Sequence, residues 1–144
     1  MKLLKLLAAS IALGAFCGLP ATAHHSATYF DTDVDLVHEN ATVIEFKIAN
    51  PHGILVYTIV NDEGAEEEWN AELPSANFSR RGGVVESILS PGDTVTVIGW
   101  PGLPGRTREN LMRMSRAEFS NGDVATFTAI SAVYTRAEDY SQAE

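Results

Sequence analysis

From Thr42 onward the chain alternates apolar and polar residues in short runs, and each run ends in residues suited to turns. Thr42, Ile44, Phe46 and Ile48 fall on one face and Glu45 and Lys47 on the other, the period of a half-buried strand. Asn50-Pro51-His52-Gly53 breaks that pattern. Ile54 to Val60 is a second, β-branched run, closed by Asn61-Asp62-Glu63-Gly64. In Glu68 to Leu73, Trp69, Ala71 and Leu73 share one face while Glu68, Asn70 and Glu72 share the other. These three segments predict an antiparallel meander. Pro74 to Gly82 reads as a short helix with Ser75 at its N-cap. Thr94 to Trp100 is a further strand, and Asn110 to Phe119 with Val124 to Thr128 predict a closing hairpin around Asn121-Gly122-Asp123.

Three strands, a helix and then more strands is the order of a small OB-like five-stranded barrel with one short helix, so a mainly β fold is expected. A small Greek-key β-sandwich is the alternative. Closure into a barrel would remove the open edges that make runs such as Ile54 to Val60 prone to aggregation.

The first 23 residues follow a different logic. Lys2 and Lys5 precede an apolar run from Leu6 to Leu19, and Pro20-Ala21-Thr22-Ala23 ends in a small-x-small pattern. This predicts a cleavable signal peptide over residues 1–23, a single barrel domain over 24–135 and a polar C-terminal tail over 136–144. The apolar run is shorter than the ~20 residues that span a bilayer, so no membrane insertion is expected after cleavage. The expected compartment is the periplasm or the exterior of the cell. Cys17 is the only cysteine and lies in the leader, so the mature chain has neither disulfides nor thiolate ligands. The leader carries two lysines and no acid, so the formal charge of −9 becomes −11 on its removal. Such a chain lacks the basic footprint of a nucleic-acid binder, and a metal cation is a better-matched partner.

Cleavage after Ala23 would leave His24-His25-Ser26 at the new N-terminus. A free α-amine, with a reference pKa of ~7.7–8.0, would then stand beside the imidazole of the same residue, and both nitrogens can ligate a metal near neutral pH. One more imidazole completes a planar nitrogen set that suits Cu(II), with zinc the second candidate. His52, aimed by a proline-containing turn between two strands, is the expected third ligand, so the candidate metal residues are His24, His25 and His52. Asn50, in the same turn, and Glu72, on the polar face of the third strand, are the residues expected to support them. His38, among Asp33, Asp35 and Glu39, reads as a surface residue. Glu66, Glu67 and Glu68 read as a solvated face, and Trp69 and Trp100 as core. No nucleophile elbow, phosphate loop or Ser/His/acid arrangement appears, so no catalytic residue is expected.

Taken together, Ala23-His24-His25-Ser26, Tyr29-Phe30-Asp31, Asn50-Pro51-His52, the Trp69 and Glu72 pair, and Pro91-Gly92-Asp93 with Val95, Val97 and Gly99 resemble the DUF6152-type family of uncharacterised exported bacterial proteins. The resemblance spans nearly all of the mature chain and implies export and a single domain. It carries His24, His25 and His52 over as the positions of interest, and it brings no assigned reaction. Relatives usually have a tryptophan just before the Asn-Pro-His turn, where Ile48 and Ala49 stand here. The expectation is a periplasmic, non-catalytic binding protein for a transition metal, copper before zinc. The alternatives are a structural or interaction module that docks an envelope protein without metal, and a copper-dependent oxidative enzyme built on the same nitrogens.

Overall fold

The computed structural model describes residues 27–140. The leader, the candidate ligands His24 and His25, and the last four residues lie outside the described residues. Seven strands are present: β1 (Leu36–Lys47), β2 (Ile54–Val60), β3 (Glu66–Glu72), β4 (Thr94–Pro101), β5 (Leu111–Phe119), β6 (Val124–Phe127) and β7 (Ala132–Thr135). They form one sheet in the order β3-β2-β1-β4-β5-β6-β7, and an additional β3–β5 pairing closes the first five into a barrel. That closure is parallel, with Asn70 opposite Leu111, Ala71 opposite Met112 and Glu72 opposite Arg113. All other pairings are antiparallel. The five-stranded barrel is thus formed, rather than a sandwich, and β6 and β7 extend the sheet beyond it.

β1 begins at Leu36, several residues before the alternation that starts at Thr42, because its first half is built on β4 and its second half on β2. Leu36 pairs with Gly99 and Thr42 with Thr94, after which the strand runs along β2 until Lys47 meets Ile54. Two bulges bend it, between His38 and Ala41 on the β4 side and between Val43 and Glu45 on the β2 side. Bulges bend a strand and shift its side-chain phase. The face expected from strict alternation is therefore split: Val43 is buried, Thr42 and Ile44 are exposed, and only beyond the bulge do Phe46 and Ile48 turn inward.

The barrel interior is filled by Tyr57 and Leu55 from β2, Val95 and Val97 from β4, Met112 from β5 and Val43 from β1, each at most 2% exposed. Burying side chains of this kind contributes roughly 1.5–3 kcal/mol each, which is the main support available to a barrel without cross-links. Trp69 is half-buried and packs against this core, whereas Trp100 is half-buried outside it.

Between β3 and β4 lies helix α1 (Ala76–Arg81), at the position expected from Pro74 to Gly82. Ser75 occupies the N-cap position without a side-chain capping bond. Instead, its neighbour Ala76 donates its N–H to Ala49 O at 2.9 Å, tying the helix start to the turn after β1. At the other end Gly82 O accepts from Tyr134 N at 2.7 Å, so α1 rests on β7. A Cβ at Gly82 would stand 1.7 Å from Ala132 O, and only glycine permits that approach. Short 3-10 turns occur at Ala27–Tyr29 and Glu86–Ile88. A last turn of helix, α2 (Ala137–Tyr140), lies in the stretch read as tail, and its first N–H is held by Asp123 Oδ1 at 2.8 Å. No described helix is long and apolar enough to cross a membrane.

Candidate functional site

His52 sits in the turn between β1 and β2, at the barrel end where β3 and β5 begin their parallel pairing. Backbone bonds stitch that turn to the segment after β3. Gly53 N donates to Pro74 O at 3.2 Å, and Leu73 N returns a bond to Gly53 O at 3.0 Å. A Cβ at Gly53 would stand 2.8 Å from Lys47 O, so glycine lets the turn fold back against its own strand. The Asn50-Pro51 peptide is cis. Asn50 Oδ1 accepts the Ala76 N–H at 3.2 Å, holding the turn against the start of α1.

Two acceptors hold the imidazole at its Nδ1. His52 Nδ1 lies 3.2 Å from Glu72 Oε1 and 3.2 Å from Leu73 O. Both neighbours are acceptors only, so in the neutral ring the proton resides on Nδ1 and Nε2 carries the lone pair, the arrangement of a metal-ligating histidine. Glu72 has a second partner. Arg113 Nη1 lies 3.9 Å from Glu72 Oε1, and Arg113 is buried where β5 meets β3. The parallel closure that puts Glu72 opposite Arg113 is what brings this carboxylate and guanidinium together.

Beside His52 opens a cleft of about 390 Å³. Ala49, Ile54 and Leu111 give it apolar walls, and Lys47, Glu72 and Arg108 line it with charge. Arg108 comes from the loop between β4 and β5, which also receives the beginning of the described chain. Phe30 is buried and forms a bridge with Gly102, Asp31 N donates to Pro101 O at 2.9 Å, and Leu103 N donates to Tyr29 O at 2.9 Å. Arg106 Nη1 adds a bond to Thr28 O at 3.1 Å. Among the described residues no three His, Cys, Asp or Glu side chains converge as a metal site. The described part supplies one imidazole and its carboxylate neighbour.

His38 is not the surface residue its acidic neighbours suggested. It is 8% exposed, with Nδ1 2.8 Å from the Tyr57 hydroxyl and its ring edge-on to Trp69 at 4.4 Å between centroids. Its strand bends at the adjacent bulge, which turns the ring inward. Burial lowers the His38 pKa, partly opposed by the negative charge of Glu67, and burial raises that of Tyr57. Glu67 accepts from Asn61 Nδ2 at 2.7 Å and from Trp69 Nε1 at 3.3 Å, and these bonds hold its carboxyl below the usual range. One member of the expected solvated run of glutamates therefore has a specific polar anchorage.

Lys47, Arg108 and Arg113 escaped the sequence reading. The only signal available was that they are cations in an acidic chain, and their convergence depends on pairings between distant strands. Comparison with curated proteins and with solved structures returned no match. A model of DUF6152, a family of unknown function, matches residues 13–111. With more than half its length matched, the chain belongs to the DUF6152 family.

Proposed function

We propose that this protein is an exported, non-catalytic binder of a transition metal, copper before zinc, using the α-amine and imidazole of His24, the His25 side chain and His52. The observation that supports the reading is the orientation of His52: its Nδ1 lies against Glu72 and Leu73 O, and we therefore assign ligation to Nε2. A second observation supports it. Residues 28–31 are hydrogen-bonded along the β4–β5 loop, and that loop contributes Arg108 to the cleft beside His52. His24 precedes Ala27 by three residues, a reach of roughly 10 Å when extended. An anchored start reduces the ordering entropy that a chelate made from a chain terminus must overcome, about 1–2 kcal/mol per residue.

The test is a calorimetric Cu(II) titration of protein that begins at His24, beside a form with one additional N-terminal Met and a His52→Ala variant. Tight one-to-one binding that both changes abolish is the expected result. Weak binding indifferent to both changes overturns the reading. It would favour instead an interaction module of the cell envelope, for which β7 is the relevant surface: it ends the sheet, and Val133 on it and Ile130 just before it are exposed.

A further inference from the structure

We propose that the cleft beside His52 binds a small organic carboxylate with an apolar body, independently of any metal. The argument begins with charge. The chain carries a formal −9, yet its cations are unevenly used. Arg80 pairs with Glu86, Arg116 with Glu118 at 2.8 Å and Arg136 with Glu138 at 3.4 Å. Arg106 is bound to Thr28 O, and Arg113 stands behind Glu72. Three described cations, Lys47, Arg81 and Arg108, form no ion pair or side-chain hydrogen bond among the described residues. Two of these three, Lys47 and Arg108, line one cleft.

They enter it from elements remote in sequence, the end of β1 and the β4–β5 loop. The single acid among the described residues lining the cleft, Glu72, is already compensated by Arg113 and by the His52 Nδ1–H. The cleft therefore carries a local positive excess on a molecule whose overall field repels anions. Long-range attraction does not explain such a pair, and a bound anion does. The guanidinium of Arg108 presents parallel donors that match a carboxylate, and Lys47 supplies a second point charge. Between them, Ala49, Ile54 and Leu111 form a wall suited to an apolar body. A volume of about 390 Å³ is in the range of small-molecule sites, which combine apolar walls with a few convergent polar groups.

Benzoate is a suitable probe. The protein would carry an additional N-terminal Met, be stripped of metal over a chelating resin and be kept at low salt, so that failure of the metal reading leaves the outcome untouched. Amide shifts are followed in ¹H–¹⁵N spectra. Saturable shifts centred on Gly53, Ile54 and Leu111 are expected with benzoate, and none there with benzylamine. Lys47→Gln combined with Arg108→Gln weakens binding at least about tenfold, the scale of one lost charge-assisted hydrogen bond. Both side chains are exposed, so the barrel is unaffected. Arg81→Gln, which removes the third cation, on α1, leaves the affinity unchanged. Four results overturn the proposal: no saturable shift with benzoate, equal shifts with benzylamine, equal affinity for inorganic phosphate, or equal weakening by Arg81→Gln.

Discussion

Tyr57→Phe removes one oxygen from the barrel interior and isolates the contribution of the buried His38–Tyr57 bond. The Tyr57 side chain is 0% exposed, and among the described residues its hydroxyl has one hydrogen-bond partner, His38 Nδ1 at 2.8 Å. Burial keeps the phenol protonated, and it bonds to Nδ1 of His38 with donor and acceptor set by the imidazole tautomer. In the variant that nitrogen is left inside without a partner, a loss of about 1–3 kcal/mol. At roughly 4 °C per kcal/mol for a chain of this size, Tm falls by roughly 4 to 12 °C. Urea unfolding followed by circular dichroism measures the loss directly, with the m-value unchanged. Combining the change with His38→Leu completes a double-mutant cycle, in which a favourable coupling of about 1 kcal/mol is expected. The pH dependence gives a further check. Burial depresses the pKa of folded His38, so its contribution is complete above the unfolded value of about 6.5 and is lost as pH falls from there through the folded value. His38→Leu should flatten the stability curve over that window. A fully stable Tyr57→Phe protein with an additive cycle would refute the reasoning, because the hydroxyl would then contribute no bond that water does not replace.

Gly82→Ala would place a methyl 1.7 Å from Ala132 O, so α1 and β7 must separate, and a loss of about 1–3 kcal/mol is expected in urea unfolding. Met112→Ala opens a cavity where β5 contacts both β3 and β4, and a loss of about 2–5 kcal/mol is expected by the same assay. Asp123→Ala removes the acceptor for the Tyr134 hydroxyl and for Ala137 N, so amide exchange should quicken at Ala137 and through β7 while the barrel amides keep their protection. The Tyr134 hydroxyl bond is the main reason the Asp123 carboxyl stays below its ordinary value, followed by the bond from Ala137 N. The same quickening should therefore appear in the unmodified protein as pH falls below the usual carboxylate range through the folded value.

Elements carried by local signals were legible in the sequence. The runs Ile54 to Val60 and Thr94 to Trp100 became strands because β-branched alternation and flanking turn residues act within a few positions. The five-stranded barrel followed from their order. The face of β1 was not legible, because a bulge is set by two partner strands at once and leaves no mark in the alternation of one segment. His38 was misplaced for the same reason: Asp33, Asp35 and Glu39 describe its neighbours along the chain, while Tyr57 and Trp69 describe its neighbours in space. The strand Ala132–Thr135 went unread because Ala-Val-Tyr-Thr is short, and its support comes from α1 through the Tyr134–Gly82 bond. At the candidate site, the turn holding His52 was visible in Asn-Pro-His-Gly, and Glu72 in the phase of β3. Arg113 was invisible, because β5 buries Met112, Arg113 and Met114 in succession and so departs from a period of two.

The residue that departs from the alternation also fixes where the candidate site lies. The start of β5 pairs with β3 in parallel and with β4 antiparallel, and Arg113 is buried there beside Glu72. A buried guanidinium needs a counter-charge, and the register of the closure supplies Glu72 opposite it. Glu72 in turn faces the turn between β1 and β2, because Ile54 is its antiparallel partner on β2 and His52 lies two residues before that strand position. The imidazole is therefore oriented by the same residues that close the barrel. A site supported in this way is as rigid as the closure itself, whereas the lining cations Lys47 and Arg108 stand exposed and form no ion pair among the described residues. Glu72 and Leu73 O thus fix the ring at Nδ1 through the barrel closure, while Lys47 and Arg108 are held only by their own strand end and loop.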